Sequence, residues 1–328
     1  MSLDEFSLIA RIAARTAARA DVVLGIGDDC ALLAPPAGQV LAVTADTLNA
    51  GVHFPHETPA FDVGWKTLAV NLSDLAAMGA QPAWCTLALS LPHSDPAWLD
   101  AFADGLFALA DAAGITLVGG DTTRGPLSLS VTAMGWVPAG QALRRDGARP
   151  GDAVWVSGVP GEAALALALW QQGQLDVAQP QADADREVLR LRLLRPTPRN
   201  ALGLALRGIA SAAIDISDGL GADLGHLCTR SGLAATLQLA HLPSSPALQR
   251  FAPGQQGHGL QASGGDDYEL CFSAPAAAHA QVLAAAASVG VAVQCIGRLH
   301  AGSGVHWQLP DGQPWQPGRV GYNHFPIV

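Results

Sequence analysis

The sequence predicts an α/β protein with an α+β arrangement of two domains. Helical and strand patterns alternate along nearly the whole chain, which is typical of layered α/β folds. Its 328 residues suffice for two ordinary domains, each with its own core. The stretch 139–151 is rich in Gly, Pro and Arg, which is typical of a linker. We therefore expect one domain at 1–138 and a second at 152–328.

The first domain is expected to contain four strands and two long helices. Residues 61–79 are apolar on most sides, which indicates a helix that is buried by its neighbours. Residues 127–137 alternate between apolar and polar, which indicates a strand with one wet face. In chain order, the expected elements are a strand at 39–46, the helix at 61–79, a strand at 82–91, a helix at 95–113, and strands at 115–121 and 127–137.

The second domain is expected to be a mixed sheet with helices. It begins with the apolar strand AVWVSG and continues with a helix from about Glu162. Beyond 310 the chain is rich in Gly, Pro and Trp, and we expect it to be irregular. The remaining expected elements are two helices at 183–208, a strand at 212–215, a helix from about 219, and a strand–helix–strand unit at 268–298.

Composition excludes several classes of protein. The net charge is -10, with Lys66 as the single lysine, whereas a nucleic-acid-binding domain needs a basic face. The five cysteines are widely spaced and form no CxxC pair, which argues against a zinc site or a disulfide framework. No apolar run reaches the roughly 18 residues of a membrane-spanning helix, and the N-terminus carries acids where a signal peptide needs bases. We expect a cytoplasmic protein.

Acidic residues follow strands or glycine turns at five places, and a sixth acid, Asp74, lies inside the apolar helix. Acids at strand ends, next to glycines that let a ligand approach the backbone, suit hard cations such as Mg²⁺. Mg²⁺ takes one or two carboxylates together with water and phosphate oxygens. The pattern predicts several ions around a polyphosphate. The five stretches are GIGDD (25–29), VTADT (43–47), VGGDT (118–122), DISDGL (215–220) and SGGDDYEL (263–270).

Each of these stretches has a plainer interpretation as a turn. Asp beside Gly commonly hydrogen-bonds its own backbone, and Asp218 before Gly219 could equally be a helix N-cap. Asp74 resists this interpretation because an unpaired carboxylate on an apolar helix costs several kcal/mol. Lys66 lies eight residues away, and a metal ion is the simpler partner. The pattern as a whole favours metal binding, although no single member decides it.

Other phosphate-binding and catalytic motifs are absent from the sequence. The one lysine is preceded by Trp65, so there is no Walker A sequence and no protein-kinase lysine motif. HExxH, GxSxG and GxGxxG are also missing. These absences argue against a P-loop enzyme, a zinc protease, an elbow-type hydrolase and a Rossmann dinucleotide site.

Taken together, the motifs resemble those of the thiamine-monophosphate kinase family. That family belongs to a superfamily that includes aminoimidazole ribonucleotide synthetase and selenophosphate synthetase. The resemblance runs nearly end to end. The motifs that carry it, in order, are GIGDDCA, VTADTLNAGVHF, NLSDLAAMGA, VGGDTTRG, ALRRDGARPGD, DISDGL, SGGDDYELCF and GYNHF.

The resemblance implies a two-domain synthetase-like kinase fold. The N-terminal domains would pair into a barrel-like homodimer, and the C-terminal domain would hold the mixed sheet. The implied reaction is direct in-line transfer of the ATP γ-phosphoryl group to thiamine monophosphate, giving thiamine diphosphate with the help of several Mg²⁺ ions. A role for a monovalent cation stays open. No general base is assigned, because the acceptor phosphate is already an anionic nucleophile.

The resemblance also implies roles for individual residues. Asp29 is expected to support Asp28 or to shape its turn. Asp266 stands where the family usually has Glu. The implied Mg²⁺ ligands are Asp28, Thr44, Ala45 through its backbone, Asp46, Asp74, Asp121, Asp215 and Asp218. The implied ATP contacts are Gly120, Asp121, Arg145 and Ser217, and the implied substrate contacts are His53, Asp266 and Tyr322.

Two rival functions stay open at this point. One is another ATP-dependent member of the superfamily, such as a synthetase that activates an amide through a phosphate intermediate. His53 and Tyr322 favour the thiamine acceptor. The absence of an N-terminal Cys or selenocysteine nucleophile weighs against selenophosphate chemistry. The other is a Mg²⁺- and nucleotide-binding protein without catalysis, which would form no ADP with any acceptor.

Overall fold

The computed structural model describes residues 5–319 and 321–322, with side chains from Ser7 onward. The chain divides into two compact units. The first comprises residues up to Leu75 and Ala80–Gly140, and the second comprises Ala76–Gly79 and the chain from Gln141 onward. The linker predicted at 139–151 stays a prediction. Leu143, within that stretch, is buried in a core of the second unit.

An open four-stranded sheet forms the first unit. Its strand order is β3-β6-β4-β5, with antiparallel pairs except for the parallel pair β4 and β5. Strand β3 lies at one edge and pairs with β6 from Gln39 opposite Pro138 to Asn49 opposite Ser128. The elements are α1 (Glu5–Ala13), β1 (Val22–Leu24), β2 (Leu32–Leu33), β3 (Gln39–Asn49), α2 (Ala60–Ala77), β4 (Gln81–Leu91), α3 (Pro96–Ala113), β5 (Thr116–Arg124) and β6 (Ser128–Pro138).

The two long helices of the first unit cross at a pair of glycines. A Cβ atom on Gly64 of α2 would lie 1.9 Å from the Phe102 carbonyl oxygen, and one on Gly105 of α3 would lie 1.9 Å from the Phe61 carbonyl oxygen. The backbones therefore touch at this point, and only glycine fits at either position. This contact packs α2, which carries Asp74, directly against α3.

The mixed sheet of the second unit has seven strands in the order β13-β12-β9-β11-β7-β10-β8. Among the strands that the structure describes in this sheet, only β12 and β9 run parallel to each other. This is the predicted mixed sheet with helices. The elements are β7 (Ala153–Ser157), α4 (Glu162–Gln171), α5 (Ala184–Leu194), α6 (Asn200–Ala205), β8 (Ala212–Asp215), α7 (Leu220–Ser231), β9 (Leu233–Gln238), α8 (Pro246–Phe251), α9 (Gln255–Ser263), β10 (Leu270–Ala274), α10 (His279–Ser288), β11 (Val293–Ala301), β12 (Gly304–Gln308) and β13 (Pro314–Trp315).

The predicted helices and strands are confirmed, and several short elements are new. Strands β9 and β12 and helices α8 and α9 were not expected from the sequence. The tail beyond 310 contains the short strand β13, which pairs with the end of β12. In the described part of the chain, the four-stranded and seven-stranded sheets are open, and β1 and β2 form a separate two-stranded sheet. Among the described residues, every helix is too short or too polar to cross a membrane.

Candidate functional site

In the first unit, the edge strand β3 is tied to helix α2 by polar side chains. The Thr44 hydroxyl donates to Oδ2 of Asp74 at 2.5 Å. The backbone N–H of Asp46 donates to Oδ1 of Asn71 at 3.1 Å. Because side chains alternate along a strand, Thr44 and Asp46 share one face, whereas Ala45 points to the other and can offer only its backbone there.

The carboxylates of Asp46 and Asp74 repel each other in this arrangement. Burial raises the pKa of Asp46 to about 6, and the nearby negative charge of Asp74 adds to the effect. Two carboxylates and a hydroxyl form the all-oxygen donor set that Mg²⁺ takes in proteins, with water and phosphate oxygens as the remaining ligands. The residues present therefore fit a magnesium ion.

A larger preassembled cluster is not seen. Within residues 5–319 and 321–322, the structure shows no group of three or more His, Cys, Asp or Glu side chains placed to hold a metal ion. Asp28 accepts the backbone N–H of Asp29 at 2.8 Å, and both residues are exposed in a turn. The Asp28 carboxylate therefore shapes this turn, and the role predicted for Asp29 stays a prediction.

Asp121 lies on β5 beside a cleft of the first unit. Apolar side chains of Ile9 and Ile12 form part of its wall, and Gly120 and Ile26 line it as well. Asp121 and Ile26, which lies two residues before Asp28, therefore line the same cleft. Gly120 also has a packing role, because a Cβ atom there would lie 2.0 Å from the carbonyl oxygen of Leu87 on the neighbouring strand β4.

His53 follows β3 in a turn that fixes its ring. Its Nδ1 accepts the backbone N–H of Asn49 at 2.9 Å. With Nδ1 as the acceptor, the neutral ring carries its proton on Nε2, which makes Nε2–H a donor. Lys66, only 1% exposed, donates from Nζ to the His53 carbonyl oxygen at 3.1 Å. Lys66 was not assigned a site role from the sequence, and its place eight residues before Asp74 gave no sign of this contact.

In the second unit, the loop after β8 wraps around one carboxylate. Oδ2 of Asp223 accepts the backbone N–H groups of Ser217 at 3.0 Å, Asp218 at 3.0 Å and Gly219 at 3.1 Å. Burial raises the pKa of the Asp223 carboxyl to about 7, although the backbone donors act in the opposite direction. Asp215, at the end of β8, is also buried.

Asp223 was not predicted as a site residue. Its sequence signal is an acid in the first turn of α7, a position that also favours a carboxylate through the helix dipole. The N-cap residue of α7 is Gly219, so the alternative of Asp218 as the N-cap is wrong. Asp223 satisfies the loop's N–H groups instead and holds both Ser217 and Asp218 in place.

Replacing Asp223 by Ala is expected to lower the free energy of unfolding by about 1–3 kcal/mol, because three N–H groups lose their acceptor. Urea denaturation measures the change. Asp311→Ala is the matched control, since the exposed Asp311 accepts a single N–H group from Gln313. A loss as small as that of the control would contradict the anchoring role.

The loop 264–269, between α9 and β10, has an unusual backbone. Asp266 and Tyr268 adopt positive φ angles of 69° and 50°. The buried Asp267 between them accepts the N–H of Gly161 at 2.7 Å and that of Ala163 at 3.4 Å, and so caps α4 from a distant part of the chain. Asp266, the residue predicted to contact substrate, is thus held in a defined place.

The remaining predicted residues lie on the surface of the second unit. Arg145 is exposed, and its carbonyl oxygen accepts the hydroxyl of Ser231 at 2.7 Å. The N–H of Tyr322 donates to the Asp218 carbonyl oxygen at 3.0 Å, which brings these two predicted residues together. Residues 323–325 of the GYNHF motif lie outside the described residues.

Comparison with known proteins agrees with these motifs. The N-terminal domain of AIR synthase related protein matches residues 27–137, and its C-terminal domain matches residues 149–308. The thiamine-monophosphate kinase of Salmonella typhimurium is 49% identical over 99% of each chain. The chain belongs to the thiamine-monophosphate kinase family.

Solved structures of the thiamine-monophosphate kinase family share the fold. The crystal structure of thiamine-monophosphate kinase from Stenotrophomonas maltophilia K279a is 61% identical, with a TM-score of 0.89 over 95% of this chain and 98% of that one. AaThiL complexed with AMPPCP and TMP is 31% identical, with a TM-score of 0.78 over 99% of each chain. As a member of this family, the chain is an enzyme of the kinase class.

Proposed function

We propose that this chain transfers the γ-phosphoryl group of ATP to thiamine monophosphate and so forms thiamine diphosphate. The observation that carries the proposal is the convergence of Asp46, Asp74 and Thr44, at the positions where the family motifs imply magnesium ligands. Similarity to a thiamine-monophosphate kinase over nearly the whole chain supports it, as does the AaThiL complex with AMPPCP and TMP. The five free cysteines support a cytoplasmic location.

Magnesium binding is part of this proposal. When bound, Mg²⁺ neutralises the charge of the phosphate groups and so favours phosphoryl transfer. Asp46 and Asp74 offer it paired carboxylates, and the Thr44 hydroxyl orients Asp74. The further proposed ligands are Asp28, the backbone of Ala45 and Asp121 in the first unit, and Asp215 and Asp218 in the second.

The nucleotide contacts we propose are Gly120, Asp121, Arg145 and Ser217. Arg145 is exposed and offers a guanidinium to anionic oxygens. Ser217 lies in the loop that Asp223 fixes. A single in-line step needs positioning and charge neutralisation rather than a general base, because the acceptor phosphate is already anionic.

The proposed substrate contacts are His53, Asp266 and Tyr322. The Nε2–H of His53 suits an acceptor group such as a phosphate oxygen. Asp266 offers a carboxylate on a fixed loop, and Tyr322, whose backbone N–H binds the Asp218 carbonyl oxygen, offers an exposed aromatic side chain. The three residues offer a donor, an anion and an aromatic ring, and each of these suits one part of a phosphorylated heteroaromatic acceptor.

A coupled assay for ADP tests this function. The purified chain would be given ATP and Mg²⁺ with thiamine monophosphate, with free thiamine, or with no acceptor. We expect ADP only with thiamine monophosphate, together with an equal amount of thiamine diphosphate. ADP formed with a carboxamide acceptor instead would favour the synthetase alternative. ATP binding without ADP under every condition would favour a protein without catalysis.

A homodimer is also proposed, on the basis of the exposed edge strand β3. Leu41 and Val43 point to the same face and are 47% and 58% exposed. The described part of the sheet pairs β3 with β6 on one side only. A long apolar edge strand is a template for pairing with another chain. Pairing of β3 with the same strand of a second copy would form the barrel-like dimer that the family resemblance implies.

Val43→Lys is expected to convert a dimer to a monomer, because it places a charge in this apolar face. Light scattering after size-exclusion chromatography gives the mass directly. Val188→Lys serves as the control, since Val188 is 48% exposed on α5 of the second unit. A Val43→Lys variant that keeps the wild-type mass of a dimer, or a monomeric wild type, would contradict the proposal.

A further inference from the structure

We propose that Tyr268 is a positioning residue that holds the Asp266 carboxylate in the orientation needed to bind the acceptor substrate. The inference rests on the proposed function, in which Asp266 contacts that substrate. Its first observation is a direct contact: the Tyr268 hydroxyl donates to Oδ1 of Asp266 at 3.1 Å. A hydrogen bond to one carboxylate oxygen restricts rotation of the whole carboxylate group.

The backbone of the loop is strained in a way that brings these two side chains together. Among the described residues, Asp266 and Tyr268 are the only non-glycine positions with positive φ. The left-handed conformation is sterically unfavourable for a residue with a Cβ atom, and it is rare for a bulky aromatic residue. Such strain persists only where the surroundings determine it, and it is concentrated at functional sites.

Hydrogen bonds to the neighbouring loop hold the strained segment. The N–H of Asp266 donates to the Ser217 carbonyl oxygen at 2.8 Å, and the N–H of Tyr268 donates to the Ile216 carbonyl oxygen at 2.8 Å. Gly265 lies so close that a Cβ atom there would be 2.4 Å from the Ser217 carbonyl oxygen. The proposed acceptor contact Asp266 is thereby tied to the loop that carries the proposed ATP contact Ser217.

Burial makes the Tyr268 hydroxyl a rigid donor. The side chain is 9% exposed, and Asp267 and Glu269 on either side are buried as well. A fixed aromatic ring has few accessible rotamers, so its hydroxyl holds a nearly constant place. Asp266 is one methylene shorter than the Glu that the family usually has here, so it has one fewer rotatable bond. An oriented donor and a short carboxylate together define where the negative charge lies.

Loss of the Tyr268 hydroxyl is expected to change binding of the acceptor substrate and to leave the fold unchanged. Tyr268→Phe keeps the buried ring and removes only the hydroxyl. We expect KM for thiamine monophosphate to rise about tenfold, as for loss of a hydrogen bond to a charged group. KM for ATP is expected to stay within about twofold, because the Ser217 loop is held by backbone hydrogen bonds that the variant retains.

A double-mutant cycle separates positioning from a general structural role. Asp266→Ala is expected to raise the same KM, and Tyr268→Phe should add no further change in that background, because it acts through the missing carboxylate. An unchanged KM in Tyr268→Phe, a tenfold effect that persists in the Asp266→Ala background, or an Asp266→Ala variant with wild-type KM would each overturn the inference. A wild-type chain that forms no thiamine diphosphate would instead show that the proposed function fails.

Discussion

Replacing Asp46 by Asn is expected to reduce turnover by at least about a hundredfold while leaving the fold intact. Asp46 lies beside Asp74, and their combined charge is what the proposed metal site offers to a cation. Asn has nearly the same shape but no charge, so packing is preserved and metal affinity is lost. Asp121→Asn is expected to act in the same way from the cleft beside β5.

Steady-state ADP formation measures the loss of turnover, and circular dichroism tests whether the fold is intact. Asp104→Asn is the matched control, because Asp104 is an exposed acid on α3 that pairs with Arg15 at 2.6 Å. The control should keep wild-type turnover. Retained activity in both Asp46→Asn and Asp121→Asn would refute the proposed metal site.

Glu269→Ala is expected to lower the free energy of unfolding by about 3 kcal/mol, because it removes the buried carboxylate that binds the partly buried guanidinium of Arg199. Arg199 binds both carboxylate oxygens of Glu269, with Nε at 2.6 Å from Oε2, and Arg192 reaches Oε1 at 3.3 Å. The Ser157 hydroxyl donates to Oε2 at 2.5 Å. Because Glu269 follows the strained loop directly, we expect acceptor binding to weaken as well.

Urea denaturation at constant pH tests the prediction for Glu269. The control is Asp146→Ala, which removes the exposed partner of Arg144 and should leave the unfolding midpoint unchanged within error. Equal midpoints for Glu269→Ala and Asp146→Ala would show that the buried ion network is not needed for stability.

The sequence predicted those elements whose ends are set by local signals. Helix α3 was expected at 95–113 and spans Pro96–Ala113, because Asp95 accepts the N–H groups of Ala97 and Trp98 and Gly114 ends the helix at φ 66°. Such caps depend only on neighbouring residues. Strands β9 and β12 were missed because their parallel pairing joins segments seventy residues apart, such as Gln238 and Gln308.

In the site, too, the sequence predicted features that depend on neighbouring residues and missed those that depend on distant contacts. Acids after strands and glycine turns could be found from the sequence, and the structure brings Asp46 and Asp74 together from different elements. Asp223 and Tyr268 could not be found in this way. The role of Asp223 depends on three N–H groups that converge on its carboxylate. The role of Tyr268 depends on the left-handed backbone angles of its loop. Neither feature follows from composition or spacing.

The most direct test of the account follows the terminal phosphate of ATP. The chain would be incubated with Mg²⁺, thiamine monophosphate and ATP labelled at the γ-phosphate, and the products would be separated by chromatography. We predict that the label moves to the terminal phosphate of thiamine diphosphate, with one ADP formed for each labelled product. Label found only in inorganic phosphate, or remaining in ATP, would contradict the assignment of this chain as a thiamine-monophosphate kinase.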